Sequence, residues 1–454
     1  MSVARLSRLL HDGQVSPVEL MRATLARIDQ LKSPLNAFIT ICHEQAMLEA
    51  RTAETELKAG LSRGALHGIP FSVKDLTHTA GVRTTMGSPL FEDFVPNDDA
   101  VPVARLKSAG AILVGKTTTP AFGHKPLTDG ILFGQTLNPY DADSTCGGSS
   151  GGAAVAVATG QGTIALGTDG GGSVRIPAAC CGVVGLKATL GVIPHVHNAD
   201  LFGASSYIGP MGRCVDDVAM TFNVIAGADK RDPFGQQKIT LDQHRDIKSL
   251  RIGWMPKVGT QYVNSNCESA AKSAVDILAA LGAQVEQTSI DFVTLEHAFL
   301  IILQSALCAK LDSHMRSTPR KVDPSLAQTI EQGRRWSAAE LHWANSERSK
   351  TFLAVQKQFE NFDVLISPTL ACPPISINQD PHQHIMINGK DAGLIRAGWY
   401  PYTYGANLTG HPAITVPTKN KSEHGIPLSV HIIGPWYSEC LLLQIAQEIE
   451  NSSV

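Results

Sequence analysis

The sequence predicts an α/β fold, a central sheet covered by helices on both faces. Two patterns carry this expectation: short apolar stretches bounded by turn formers alternate with segments of helical period, and that alternation recurs along the chain. Of the 454 residues, 43% are hydrophobic and 17% charged, a balance that suits a globular chain and excludes a disordered or fibrous one. At roughly three times the length at which one core suffices, there is material for one large domain or two interdigitated ones.

Ser16-Pro17-Val18-Glu19 places a capping serine, a proline at the first helical position and a glutamate three residues after the cap, so a helix begins at Pro17. A second helix is expected over 43–59, and the β-like FSVK (71–74) follows. Residues 100–109 read as a helix and Ala111–Val114 as a buried strand. From 130 to 172 glycines and serines crowd together: GGSSGG at 147–152, a small-residue helix at 153–159, a strand at 163–167 and GTDGGGS at 167–173. Such density implies backbone that approaches something closely. Helices are then expected at 215–226, 268–282, 293–311 and 337–360, and strands at 251–255, 363–367, 413–417 and 428–433. The polar 230–250 reads as a surface excursion and 373–395 as a long loop.

The formal net charge of −3, with basic residues scattered rather than clustered, gives no footprint for nucleic acid. The N-terminal MSVARLSRLLHDGQ reaches Asp12 before an apolar signal core can form, and no run of 18 apolar residues occurs, so no membrane partner and a cytoplasmic location are expected. The nine cysteines are odd in number, and Cys180–Cys181 are adjacent, which favours a reducing compartment. The Asn407 sequon reads as a turn.

Three motifs compete for the chemistry. Gly110–Thr117 (GAILVGKT) satisfies the phosphate-loop pattern letter for letter, yet its Ala-Ile-Leu-Val belongs in a buried strand and Pro120 stands where a helix should run. Gly147–Gly151 fits G-x-S-x-G, but the preceding NPYDADSTC supplies no strand to feed a nucleophile elbow. The third candidate is the pair of glycine-flanked serines, Ser149 and Ser173, separated by a helix and a strand that carry the chain out and back. Two such hydroxyls need a base, and Lys74 at the end of an apolar strand supplies one, because a desolvated lysine can lose its proton near neutral pH. Taken singly, these features read as tight turns, helix caps and a snorkelling lysine; together and in this order they point to one site.

The stretch from Gly147 to Pro194, with GIPFSVKD (68–75), GPMGRCVDDVA (209–219), DVLISPT and NLTGHPAITVP, resembles the amidase signature family over nearly the whole chain. The resemblance implies a single domain over 1–454 with a large mixed, mostly parallel central sheet: N-terminal helices (1–65) on a signature core (about 66–227), then a C-terminal α/β part (about 250–454). It implies Lys74 as catalytic base, Ser149 as bridging serine in a cis peptide and Ser173 as nucleophile. Oxyanion donors would be amides of Gly170, Gly171, Gly172 and Ser173, and Ser150 is expected to hydrogen-bond Lys74. Asp169 and Arg175 are expected to pair and brace the nucleophile loop; His124 and His411 border the cleft. No metal and no cofactor is expected, and His382 and His384 read as parts of a polar loop.

The implied activity is hydrolysis of a small-molecule carboxamide C–N bond through an acyl-enzyme. The family also contains the catalytic A-type subunit of the glutamine-dependent aminoacyl-tRNA amidotransferase, so a homodimer or a small accessory subunit stays open. Segments 118–141 and 194–210 depart from the transferase pattern and favour the free-standing hydrolase. The chain departs from the family at Cys146, where proline is usual, and at Gly170, where a larger residue is common. Segments 122–140, 194–206 and parts of 300–400 are expected to shape the acyl pocket, with Phe133, Phe202, Trp399 and Tyr402 as candidate lining.

Overall fold

A computed structural model describes residues 1–203, 206–235, 244–260 and 262–452. The middle of the expected excursion, 236–243, lies outside the described residues. Three helices and a strand come first: α1 (Val3–His11), α2 (Pro17–Leu35), β1 (Phe38–Ile41) and α3 (His43–Lys58). Ser16 and Glu19 close the anticipated capping box at the start of α2. There follow β2 (Pro70–Lys74), α4 (Val101–Ser108), β3 (Ile112–Thr117), the short pair β4 (Asp129–Gly130) and β5 (Gly134–Gln135), α5 (Gly151–Ala158), β6 (Ile164–Asp169), α6 (Arg175–Cys181), β7 (Val184–Lys187), β8 (Tyr207–Gly212) and α7 (Val215–Ile225). The C-terminal part holds β9 (Arg251–Trp254), α8 (Ser265–Ala280), β10 (Gln284–Gln287), α9 (Glu296–Ser317), α10 (Pro324–Gly333), α11 (Ala338–Gln358) and β11 (Val364–Pro368). It ends with β12 (His384–Ile387), β13 (Lys390–Leu394), α12 (Ile395–Trp399), α13 (Tyr404–Thr409), β14 (Ala413–Lys421), β15 (Pro427–Ile433) and α14 (Glu439–Ser452).

Eleven of the described strands form one sheet, ordered β1-β3-β2-β6-β8-β7-β14-β15-β11-β9-β10. The expectation of a mostly parallel sheet needs correction. Only β2 with β3 and β6, and β9 with β10 and β11, run parallel; the other neighbours are antiparallel. Parallel neighbours need a crossover, which α4 supplies between β2 and β3 and α8 between β9 and β10. The short turn between β14 and β15 permits only a hairpin.

Alternate residues of a strand point to opposite faces, and the core divides accordingly. Ile112 and Val114 of β3 belong to the same apolar cluster as Met21, Ala46 and Ala154, whereas Leu113 belongs to the cluster that holds Val103, Val218 and Leu442. Helices therefore cover both faces, as expected. α5 is made of small residues because it lies against the sheet: a Cβ on Gly152 would come within 2.5 Å of the Thr118 backbone nitrogen and 2.6 Å of the Ala37 carbonyl.

The segment 373–395 is not a plain loop; β12 and β13 pair within it. Val293–Ser317 is long and apolar enough, by composition alone, to cross a membrane. In this fold it packs on α10 and α11.

Candidate active site

Because β2 and β6 are parallel neighbours, with Val73 opposite Leu166, the chain leaves both strands at the same sheet edge. Lys74 ends one strand, Thr168 and Asp169 end the other, and Ser149 and Ser150 lead into the first turn of α5 above them. The predicted convergence of the two serine loops is a consequence of this register. Lys74 Nζ hydrogen-bonds Ser149 Oγ at 2.7 Å and Thr168 Oγ1 at 2.9 Å. The Gly148–Ser149 peptide is cis. Lys74 is completely buried, and among the described residues its hydrogen bonds go to Ser149 and Thr168 and none to a carboxylate. Burial therefore drives its pKa well below the ordinary lysine value, opposed by the more distant charge of Asp169.

The Asp169 carboxylate lies behind the loop that carries Ser173 and accepts from the Gly172 and Val174 amides at 2.6 and 3.1 Å and from Arg175 Nε and Nη2 at 3.0 Å each. Burial works against its ionisation, but Arg175 and the hydrogen bonds outweigh it and hold the carboxyl well below the usual range. The expected Asp169–Arg175 brace is thus present, and it extends further. Asn407 Nδ2 donates to Asp169 Oδ1 at 2.8 Å, Arg175 Nη2 donates to Asn407 Oδ1 at 2.6 Å, and Arg175 Nη1 donates to the Thr403 carbonyl and to His431 Nε2, both at 2.9 Å. Accepting that bond makes His431 neutral, in line with burial pushing its pKa well down. Thr403 Oγ1 donates to the Gly171 carbonyl at 2.7 Å.

Three assignments change. Ser150 does not touch Lys74: its hydroxyl donates to the Thr168 carbonyl at 3.1 Å and accepts from the Thr168 amide at 3.2 Å, while its own amide donates to the Ser173 carbonyl at 3.1 Å. The Gly172 amide is consumed by Asp169, so among the proposed oxyanion donors the amides of Gly170, Gly171 and Ser173 are those that donate to no described residue. Asn407 is no turn residue either; it is fully buried in α13, and its amide group is spent inside the site.

A cavity of about 120 Å³ opens beside Ser149, Gly170 and Ser173, walled by Phe122, Phe299, Ile302, Leu303 and Leu408. Segments 122–140, 194–206 and 300–400 each contribute lining, through Phe122, Ser206 and Ile302. The aromatic candidates do not: Trp399 and Tyr402 are core, Phe202 is 77% exposed, and Phe133 lines a separate surface hollow. Gly123 faces Ser149 Oγ, which a Cβ there would meet at 3.0 Å. Cys146 is buried against α5, its thiol pushed up to about 12 by burial, and donates to the Thr136 carbonyl at 3.3 Å.

The rejected motifs are accounted for. Lys116, of the phosphate-loop match, lies inside β3, completely buried, and bonds Thr79 Oγ1 and Thr84 Oγ1, each at 2.9 Å. His124 contacts the Ala121 carbonyl and Ser325, and His411 packs among Phe352, Phe359 and Trp436. His384 pairs with Asp391, while His382 reaches the Ser325 carbonyl.

The amidase family profile matches residues 19–443. An acylamidase from Rhodococcus erythropolis is 32% identical, covering 99% of this chain and 95% of its own. The A-type subunit of glutamyl-tRNA(Gln) amidotransferase from Alkaliphilus metalliredigens (strain QYMF) is 31% identical over 96% of this chain and 93% of its own. Among solved structures, a bacterial aryl acylamidase of the amidase signature enzymes superposes with a TM-score of 0.92 at 28% identity, covering 100% of this chain and 96% of that one. 6-Aminohexanoate cyclic dimer hydrolase gives 0.87 at 26%, covering 100% and 97%. With the profile spanning most of its length and the same fold in these neighbours, this chain belongs to the amidase signature family and is a hydrolytic amidase.

Proposed function

We propose that this amidase is a free-standing hydrolase of apolar acyl or aryl carboxamides, acting through Ser173 as nucleophile, Ser149 as relay and Lys74 as base. The observation that carries the relay is the buried Lys74 amine 2.7 Å from Ser149 Oγ, with no carboxylate among its described hydrogen-bond partners. As Ser173 Oγ attacks the carbonyl carbon, its proton passes to Ser149 Oγ and the Ser149 proton to Lys74 Nζ. The carbonyl oxygen becomes an oxyanion facing the amides of Gly170, Gly171 and Ser173. When the C–N bond breaks, the proton returns through Ser149 to the leaving nitrogen and frees ammonia or an amine. Water then attacks the acyl-enzyme, giving its proton along the same path, and the carboxylic acid and Ser173 are released.

Substrate character follows from the cavity wall. None of the described lining residues is charged, so a glutamine zwitterion would enter without a counter-charge, whereas an apolar acyl group would lose only water. The alternative, the A-type role in a transferase, has the sequence likeness to the amidotransferase relatives in its favour. Release of amine from anilides or aliphatic amides by the isolated chain, with fluorophosphonate labelling that disappears in Ser173→Ala, is the expected result. Labelling that persists in Ser173→Ala would remove the assignment of the nucleophile. Glutaminase activity appearing only with added subunits would favour the transferase.

A further inference from the structure

Outside the catalytic cavity, His78, Asp98 and His197 bring one ligand atom each to within 4.8 Å of one another. Three separate segments meet here: His78 follows β2, Asp98 precedes α4, and His197 lies between β7 and β8. The Asp98 carboxylate spans the two rings, with Oδ2 2.9 Å from His197 Nε2 and Oδ1 3.7 Å from His78 Nδ1. The imidazoles stack at 4.2 Å with a 35° tilt. The His78 Nδ1 atom, 3.7 Å from the carboxylate, is buried and has no hydrogen-bond partner among the described residues.

We propose that these three residues bind a divalent transition-metal ion of the Zn²⁺ type, with water completing the coordination. In a tetrahedral site with bonds of ~2.0–2.1 Å, ligand atoms sit about 3.4 Å apart; the three ligand atoms here lie within 4.8 Å of one another, close enough for small side-chain shifts to bring them onto one ion. Two imidazoles and one carboxylate favour zinc, nickel or cobalt over magnesium or calcium, which take oxygen ligands. The 61% exposure of the Asp98 side chain gives the ion an entrance and leaves room for water. The site is structural in kind, because no ligand reaches the catalytic cavity, but it ties together the two segments that wall it. Leu76, two residues before His78, lines the cavity. From the other side, His195 Nδ1 and Asn198 Nδ2 hydrogen-bond the carbonyl of Ser206, a second lining residue, at 3.2 and 3.3 Å. Occupancy therefore fastens 195–198 to the segment after β2 and steadies that side of the cavity.

The test is Zn²⁺ calorimetry and Co²⁺ visible absorption on the chelator-stripped full-length chain, beside His78→Ala, His197→Ala, Asp98→Asn and a control, His384→Ala, which breaks the exposed His384–Asp391 pair. Wild type and the control should take up one equivalent that none of the three ligand variants retains, and Zn²⁺ should raise the melting temperature of those two proteins alone. Losing a direct ligand should weaken binding by more than the ~100-fold that loss of an outer-shell partner brings. The proposal is overturned if wild type binds no more ion than His197→Ala, or if the equivalent disappears with His384→Ala. Circular dichroism in metal-free buffer identifies any variant that fails to fold, and exposed Asp98→Asn then decides the matter alone.

Discussion

Replacing Asp169 by asparagine keeps the shape of the side chain and removes one charge from the centre of the site. Five hydrogen bonds converge on this carboxylate, from the amides of Gly172 and Val174, twice from Arg175 and once from Asn407. All five partners are donors, so the new amide group must face at least one of them with hydrogens opposed, and the buried Arg175 loses its counter-ion. Breaking a buried pair in this way costs about 3–5 kcal/mol. At ~2.1 cal/mol/K per residue, 454 residues give an unfolding entropy of about 1 kcal/mol/K, so the melting temperature should fall by about 3–5 °C. The pH dependence has a definite sign. The folded carboxyl titrates below its unfolded value of ~3.9, so its stabilisation is fully present above that value and is lost as the pH falls below it. Calorimetric scans of both proteins from pH 7 downward test this: the gap in melting temperature should hold to about pH 4 and then narrow. A gap under about 1 °C at pH 7, or one that widens in acid, would refute the account of the brace.

Lys74→Met should abolish turnover while leaving the fold intact, measured by ammonia or amine release beside circular dichroism; retained turnover at neutral pH would count against the relay. Because the folded amine titrates below its unfolded value of ~10.4, wild-type stability should rise with pH between the two values, and Lys74→Met should lose that slope. In wild type, kcat/KM should climb with pH through the folded Lys74 value, since only the neutral amine accepts a proton; a flat profile on the acid side would contradict this. Phe299→Ala should lower kcat/KM for aryl or long-chain acyl amides by ~10-fold or more relative to acetamide, because Phe299 forms an apolar wall and discrimination by such pockets falls in that range. Equal losses for both substrates would place the acyl group elsewhere.

Long, periodic elements were legible in the sequence, as were the motifs. The helix at Pro17 is announced by its capping box, and the strand ending at Lys74 by its apolar run. β8 was not legible, since YIGPMG carries two glycines and a proline, poor strand formers that only pairing with β6 and β7 holds extended. The edge strand β10 is fully exposed and has no apolar alternation to announce it. Sheet polarity departs from the mostly parallel order that the resemblance implies, because the hairpin of β14 and β15 and the reversals at β8 impose antiparallel pairing. Within the site, the residues in the glycine–serine motifs could be named in advance. Thr168 could not, because it meets Lys74 only once β2 and β6 pair, nor could Thr403 and Asn407, whose roles exist only once the loop after β6 meets the segment around α13, more than 230 residues later in the chain. The only signal for Asn407 was NLTG itself, which reads equally as a turn.

The electrostatics favour Lys74 in the proposed role of base. A buried amine is neutral only if no nearby carboxylate pays for its proton, yet Asp169 lies one residue beyond the Lys74 contact Thr168. Left alone, that charge would raise the Lys74 pKa and hold the base as a cation. Arg175 takes up the carboxylate with two hydrogen bonds at 3.0 Å, and Asn407 and two backbone amides take up its remaining lone pairs. Arg175 thus sets a positive charge against that carboxylate, which still opposes the fall in the Lys74 pKa, while Lys74 Nζ meets the hydroxyls of Ser149 and Thr168 at 2.7 and 2.9 Å. In the proposed mechanism, the bonds that fix the loop after β6 therefore also bear on the charge felt by the base, whose pKa burial lowers. Removing either member of the Asp169–Arg175 pair acts on the loop and on the base together, and the two effects separate only when stability and the acid limb of the rate profile are read on the same variant.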